Sequence, residues 1–134
     1  MNTALSSQEM SAIRNGEAKE NFPKKERLLK TKDFGKVYRG GRSFKIDCVV
    51  LKALPTALLI NRLGFSISSK SIKSSCRRNR IRRLFREAYR KNKKALKKGF
   101  DMVLVVRRDT VNNFGYRDAE KIFLKLTKEA GILL

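Results

Sequence analysis

Hydrophobic and polar positions along the chain change period in a definite order. Between Ser43 and Lys52, Phe44, Ile46, Cys48 and Val50 share one face while Lys45 and Asp47 point the other way, which predicts a half-buried strand. After a turn region around Pro55 and Asn61, Leu63, Phe65 and Ile67 alternate with Gly64, Ser66 and Ser68, predicting a second strand whose other face is small and polar. Met102 to Val106 is apolar on both faces and predicts a strand covered on both sides. Start signals at Thr31 and Asp33, an apolar edge of Phe34, Val37 and Tyr38, and a stop at Gly40-Gly41 predict a short helix. Gly35 inside it costs roughly 1 kcal/mol relative to alanine. A long helix is predicted over about Ser75 to Lys97, and a closing helix sets Ala119, Ile122, Phe123, Leu126 and Ala130 at core-facing spacing.

The residues before Lys24 lack this patterning. Met1 to Pro23 mixes Ser, Asn, Glu and Lys with few large apolar residues, so residues 1–23 read as a mobile extension with a short helix around Glu9 to Arg14. Residues 24–134 are then the folded part, and a chain of 134 residues, 41% of them hydrophobic, supports one compact domain but hardly two.

Charge changes the picture most. Thirty-three Lys and Arg against 12 Asp and Glu give a net charge of +21, and a folded domain with that self-repulsion normally works against a polyanion: RNA, DNA or an anionic membrane surface. The chain has no run of eighteen or more apolar residues, and Met1 to Gly16 lacks the basic-then-apolar order of a secretory signal, so a cytoplasmic protein with no membrane partner is expected. Histidine is absent, and Cys48 and Cys76 stand far apart, so neither a zinc site nor a thioredoxin-like motif can be written. A disulfide between them is disfavoured in a basic intracellular chain.

In the long helix, Ile81, Leu84, Phe85 and Ala88 form one apolar stripe, and the remaining positions are overwhelmingly cationic, with Glu87 as the one acid. Like charges four residues apart destabilise a helix by a few tenths of a kcal/mol each, so an external anion must compensate. Arginine predominates in the first half, where its planar fork bridges phosphate oxygens and stacks on bases as lysine does less well. A solvated face would alternate in sign. A basic zipper would need heptads after the arginines, but the chain reaches Gly99 and a strand; a membrane-surface helix would need more apolar bulk. RNA or DNA binding remains.

The run Arg78-Asn79-Arg80-Ile81-Arg82-Arg83-Leu84-Phe85-Arg86-Glu87 resembles the arginine-asparagine-arginine signature of the bacterial ribonuclease P protein family, and the likeness extends over roughly Arg27 to Leu126. Lys32-Asp33-Phe34 with Val37-Tyr38 and Gly40-Gly41 looks like the family's opening helix and turn, and Gly64 to Ser68 like the strand before its signature. That strand is usually followed in the family by two lysines and a glycine. Here Ser69 to Arg77 lacks the glycine and is one residue longer, leaving Lys70 and Lys73 to stand for the lysines. The resemblance implies an α+β fold, a central mixed sheet packed by helices, with a left-handed β-α-β crossover carrying the signature helix.

The resemblance further implies that catalysis belongs to a partner RNA, which uses Mg2+ bound mainly by that RNA to release the 5′ leader of precursor tRNA. On that basis Arg77, Arg78, Asn79, Arg80, Arg82, Arg83, Arg86 and Arg90 contact the catalytic RNA, while Phe34, Tyr38, Ser66, Ser68 and Lys70 hold the leader. Read by themselves, two aromatics four apart pack inward as readily as they face out. The residues agree independently that the protein supplies no catalytic group: its carboxylates are scattered, and no acid-base pair or two-metal cluster can be assembled. The competing reading is a general basic RNA-binding or ribosome-associated protein, which the charge equally permits.

Overall fold

The computed structural model describes residues 22–110 and 113–134. The extension up to residue 21, with the helix expected around Glu9 to Arg14, lies outside the described residues. The elements are α1 (Thr31–Gly40), β1 (Arg42–Ile46), β2 (Val49–Pro55), β3 (Arg62–Ile67), α2 (Ser75–Asn92), β4 (Phe100–Val106) and α3 (Tyr116–Glu129), with single 3-10 turns at Lys24–Glu26 and Lys93–Ala95. The four strands form one mixed sheet in the order β1-β2-β4-β3; β2 is antiparallel to β1 and β4, and β3 is parallel to β4. Parallel neighbours cannot be joined by a hairpin, so the chain must cross over between them, and α2 is that crossover.

Alternation along the strands sorts the sheet into two packed faces. Val49, Leu51, Ala53, Leu63, Met102, Leu104 and Val106 face α2 and α3, where they meet Ile81, Phe85, Ala88, Phe123 and Leu126. Val103 faces the other way into a smaller cluster with Leu28 and Val37, flanked by Phe34, Leu54 and Val105 beneath α1. Thus β4 is covered on both sides, as its continuous apolar run requires.

Three sequence expectations are corrected. The single strand over Ser43 to Lys52 is a hairpin, with Asp47 and Cys48 as a two-residue turn between the paired Ile46 and Val49. Asp47 takes φ 54°, a left-handed conformation that Asp tolerates better than most residues, so no glycine or proline marks the turn. The turn also switches parity: Phe44 and Ile46 pack toward α2 and α3 before it, Val49 and Leu51 after it, and Val50 goes to the opposite face. Secondly, α2 ends at Asn92 rather than Lys97, because Leu96 turns into the core and the chain there pairs with the C-terminal tail through Lys97 N–H to Ile132 O at 2.7 Å. Thirdly, Phe22, which the patterning placed in the extension, is buried against Tyr89 with ring centroids 5.5 Å apart.

Two polar links tie segments remote in sequence to one another. Tyr89 Oη donates to Glu26 at 2.6 Å, and Lys93 Nζ lies 3.2 Å from the same carboxylate, fastening the N-terminal segment to α2. Arg62 donates twice to the buried Asp101, at 2.8 and 2.7 Å, and lies 3.4 Å from Asp33 in the first turn of α1. This second link ties α1 to the starts of β3 and β4.

Candidate RNA interface

Helix α2 begins at Ser74, whose hydroxyl accepts from Arg77 N–H at 3.3 Å. Its inward stripe is Ile81, Phe85, Ala88 and Tyr89, all buried, while Leu84 is half-buried. The predicted stripe therefore misses Tyr89, whose hydroxyl disguised it as a surface residue; its bond to Glu26 is what allows burial.

The structure sorts the signature cations by what already holds them. Arg77 forms a two-pronged pair with Asp109, at 2.8 and 3.1 Å, clamping the start of α2 to the segment after β4. Arg78 Nη1 donates to the carbonyls of Ile72 and Lys73 at 2.7 and 3.0 Å. This braces the atypical crossover segment, which is further pinned by the buried Ile72 and by Ser68 Oγ accepting from Ser71 N–H at 3.0 Å. Arg80 donates to Phe114 O at 3.2 Å, Arg82 to Asn79 Oδ1 at 2.9 Å, and Arg90 pairs with Glu87. Arg83 and Arg86 are exposed. A guanidinium carries five donors, so those that brace the protein still present others outward.

The Asp109 carboxyl is held below its ordinary range by the hydrogen bond from Arg77. A carboxyl lowered on folding favours the clamped state above the ordinary carboxylate range and loses that favour as pH falls through the depressed value. The side-chain carboxyl 13C shift of Asp109 should therefore titrate below that range in the intact chain. Arg77→Ala should return the midpoint upward; an unchanged midpoint would mean that Arg77 does not hold the carboxylate.

On the other face of the sheet, Phe34 and Tyr38 sit side by side on α1 with centroids 6.4 Å apart. They separate in depth. Phe34 is half-buried over Gly64, where a Cβ would come within 2.6 Å of its Cζ, so glycine is required there for space. Tyr38 is 43% exposed, with Lys52 Nζ 5.7 Å from its ring centre. Ser66 pairs in register with Val105 on β4 and is half-buried, whereas Ser68 and Lys70 are exposed beyond the strand end. The predicted arginines thus share one helix, whereas the predicted leader residues are spread out, with Phe34 over Gly64 on β3, Tyr38 beside Lys52 on β2, and Ser68 and Lys70 past the end of β3.

Sequence reasoning missed Arg62 and Arg27. Arg62 gave no signal because its partners Asp33 and Asp101 are remote in sequence. Arg27 lies in a short basic run of no evident period, yet its guanidinium is 5.4 Å from the Phe22 ring centre beside α2.

A mixed sheet crossed by an arginine-rich helix, with a pair of aromatic rings on the helix that packs on its opposite face, defines a small α+β RNA-binding protein. The family model described as Ribonuclease P matches residues 22–131. The chain belongs to the ribonuclease P protein family, whose members are subunits of the ribonuclease P endoribonuclease and serve RNA binding and tRNA processing. The ribonuclease P protein component of Clostridium botulinum (strain Loch Maree / Type A3) is 40% identical over 110 residues, 81% of this chain and 97% of that protein. That of Pelotomaculum thermopropionicum is 43% identical over 105 residues, 78% and 92% of the two chains. The solved ribonuclease P protein of Thermotoga maritima superposes with a TM-score of 0.70 at 28% identity, over 78% of this chain and 96% of that one. The Staphylococcus aureus protein shares the fold, with a TM-score of 0.72 at 23% identity over 81% and 98%.

Proposed function

We propose that this chain binds the catalytic RNA of ribonuclease P through the outward side of α2 and holds the 5′ leader of precursor tRNA in the groove between α1 and β3. It would do so in the cytoplasm, promoting magnesium-dependent removal of the leader. The observation that carries the reading is the pair of rings on α1, Phe34 half-buried over Gly64 and Tyr38 exposed beside it near Lys52. An aromatic edge over a shallow floor stacks bases without reading their identity, as leaders of varied sequence require. On α2, Arg82, Arg83 and Arg86 offer charge outward, while Arg77, Arg78 and Arg80 also hold the segments flanking the helix. Asn79 serves RNA indirectly, by orienting Arg82, and Arg90 shares its charge with Glu87. Ser68 spends its hydroxyl on its own turn, so Ser66 and Lys70 contribute the polar side of the leader path.

Among the described residues no three His, Cys, Asp or Glu side chains come together as a metal site. The described donors therefore do not fit a resident Mg2+ ion, and the part they would play in the reaction is binding, positioning and screening of phosphate charge. Labelled precursor tRNA incubated with the protein, with a catalytic RNA, and with both tests the reading. Faster or tighter processing in the mixture supports it; cleavage by the protein alone, or no effect of the protein in the mixture, overturns it. Affinity should also fall steeply with salt, each neutralised phosphate contributing about −0.7 to −0.9 to the log-log slope, so that half a dozen contacts give roughly −4 to −5. Arg83→Ala should make that slope shallower by about one contact while leaving thermal unfolding in place; a slope near zero in the intact chain would remove the charge argument.

A further inference from the structure

Between the arginine helix and the groove lies a cleft of about 220 Å3, lined by Arg27, Arg82 and Arg86 together with Phe22, Phe34 and Phe65. Among the described residues no carboxylate lines it. The adjacent acid, Glu26, is turned away to Tyr89 and Lys93. The Arg86 guanidinium lies 5.9 Å from the Phe22 ring centre and 5.7 Å from that of Phe65, and Arg27 is steadied by its Nε bond to Phe22 O at 3.1 Å. Although much of Arg86 is exposed, burial of its charged end, then the nearby charges of Arg27 and Arg82, push its pKa down. Three like charges around one cleft carry a standing electrostatic cost that the weak ring contacts offset only in part. An anion would relieve it. The floor is apolar, of Leu28 and Leu63, and Gly64 opens it by admitting the Phe34 ring.

We infer that this cleft is a nucleotide subsite. It takes one unstacked nucleotide of an RNA strand, with the phosphate on the guanidiniums of Arg27, Arg82 and Arg86 and the base against the half-buried rings of Phe34 and Phe65. The inference rests on the RNA-binding reading and adds to it a place where one strand is gripped by charge and ring together, since Phe34 is shared with the groove and Arg82 and Arg86 with the helix. A free edge of an arginine beside an aromatic is suited to both phosphate and base. The nucleotide comes from the leader or from the catalytic RNA; the chemistry is the same for both.

The full chain titrated by NMR with uridine 5′-monophosphate, uridine and inorganic phosphate at fixed ionic strength is the first test. The monophosphate should perturb the amides of Phe22, Arg27, Gly64 and Phe65 and bind about tenfold more tightly than either fragment. Arg27→Gln, and on a separate element Arg86→Gln, should each weaken it by about tenfold, the loss of one charge-assisted hydrogen bond, with unfolding temperature unchanged. Equal binding of monophosphate and phosphate, or perturbation spread evenly along α2, would overturn the subsite. In reconstituted holoenzyme, 4-thiouridine placed in the leader in one preparation and in the catalytic RNA in another identifies the source by which strand crosslinks to the peptide containing Phe65. Crosslinking from neither overturns the inference. If Arg27→Gln leaves monophosphate binding intact while Tyr38→Ala still loses its preference for precursor, the subsite fails and the groove stands; the converse pair of results fails the groove and leaves the subsite.

Discussion

Replacing Tyr38 by alanine is expected to weaken binding of precursor tRNA by about 5- to 150-fold, the equivalent of one lost base stack at roughly 1 to 3 kcal/mol. Affinity for mature tRNA, which lacks the leader, should hardly change. The side chain is suited to such a test because it is 43% exposed and its removal deletes a ring without deleting a charge. Phe34 is a poorer probe, since its ring also fills the space over Gly64 and its loss would loosen α1. Parallel measurements of both ligands, with circular dichroism to establish the fold, decide the matter. An intact fold with equal losses for precursor and mature tRNA would show that Tyr38 contacts something other than the leader.

Arg62→Ala should be the most destabilising change on the groove side. It strips Asp101, whose side chain is 4% exposed, of both its guanidinium bonds, and a buried carboxylate left without its partner costs about 3 kcal/mol. In a domain of this size that corresponds to a fall in unfolding temperature of about 10–20 °C. Asp33→Asn, which touches only the longer 3.4 Å contact, should cost well under about 1 kcal/mol, the range of exposed pairs. Thermal denaturation of the two variants side by side checks the ordering. Should Arg62→Ala unfold within a degree or two of the parent chain, α1 is held by the packing of Phe34 and Val37 alone.

The two variants bear on different links of the same chain of causes. Tyr38 is the proposed contact to the leader, whereas Arg62 ties α1 to the starts of β3 and β4 and so sets where Tyr38 and Phe34 stand. Loss of leader preference in Arg62→Ala at a temperature where it is folded would show the coupling.

Legibility in the sequence followed the range of the interaction that decided each feature. The period-2 run from Leu63 to Ile67, the apolar run Met102 to Val106 and the helical spacing from Ala119 to Leu126 depend on neighbours within a few residues, and these elements were readable. So was the one-sided charge of α2, because its arginines are contiguous. The hairpin at Asp47 was not, since the alternation ran through a turn with no glycine or proline to break it. Nor was the end of α2, where Lys93 to Lys98 reads as more cationic helix and the burial of Leu96 depends on a C-terminal tail some thirty-five residues later.

By itself, then, the sequence determined the charge, the order of most elements and the helix that carries the arginines, because each is written in local composition and period. Only the tertiary structure decided which arginines are occupied, as Asp109 and the carbonyl of Phe114 reach Arg77 and Arg80 from beyond β4. It alone decided that Phe34 is packed and Tyr38 open, a difference set by the missing Cβ of Gly64 across the sheet and not by anything within α1. And it alone brought Arg27 beside Arg82 and Arg86, since Phe22 and Glu26 are drawn to Tyr89 by burial and a hydrogen bond spanning more than sixty residues.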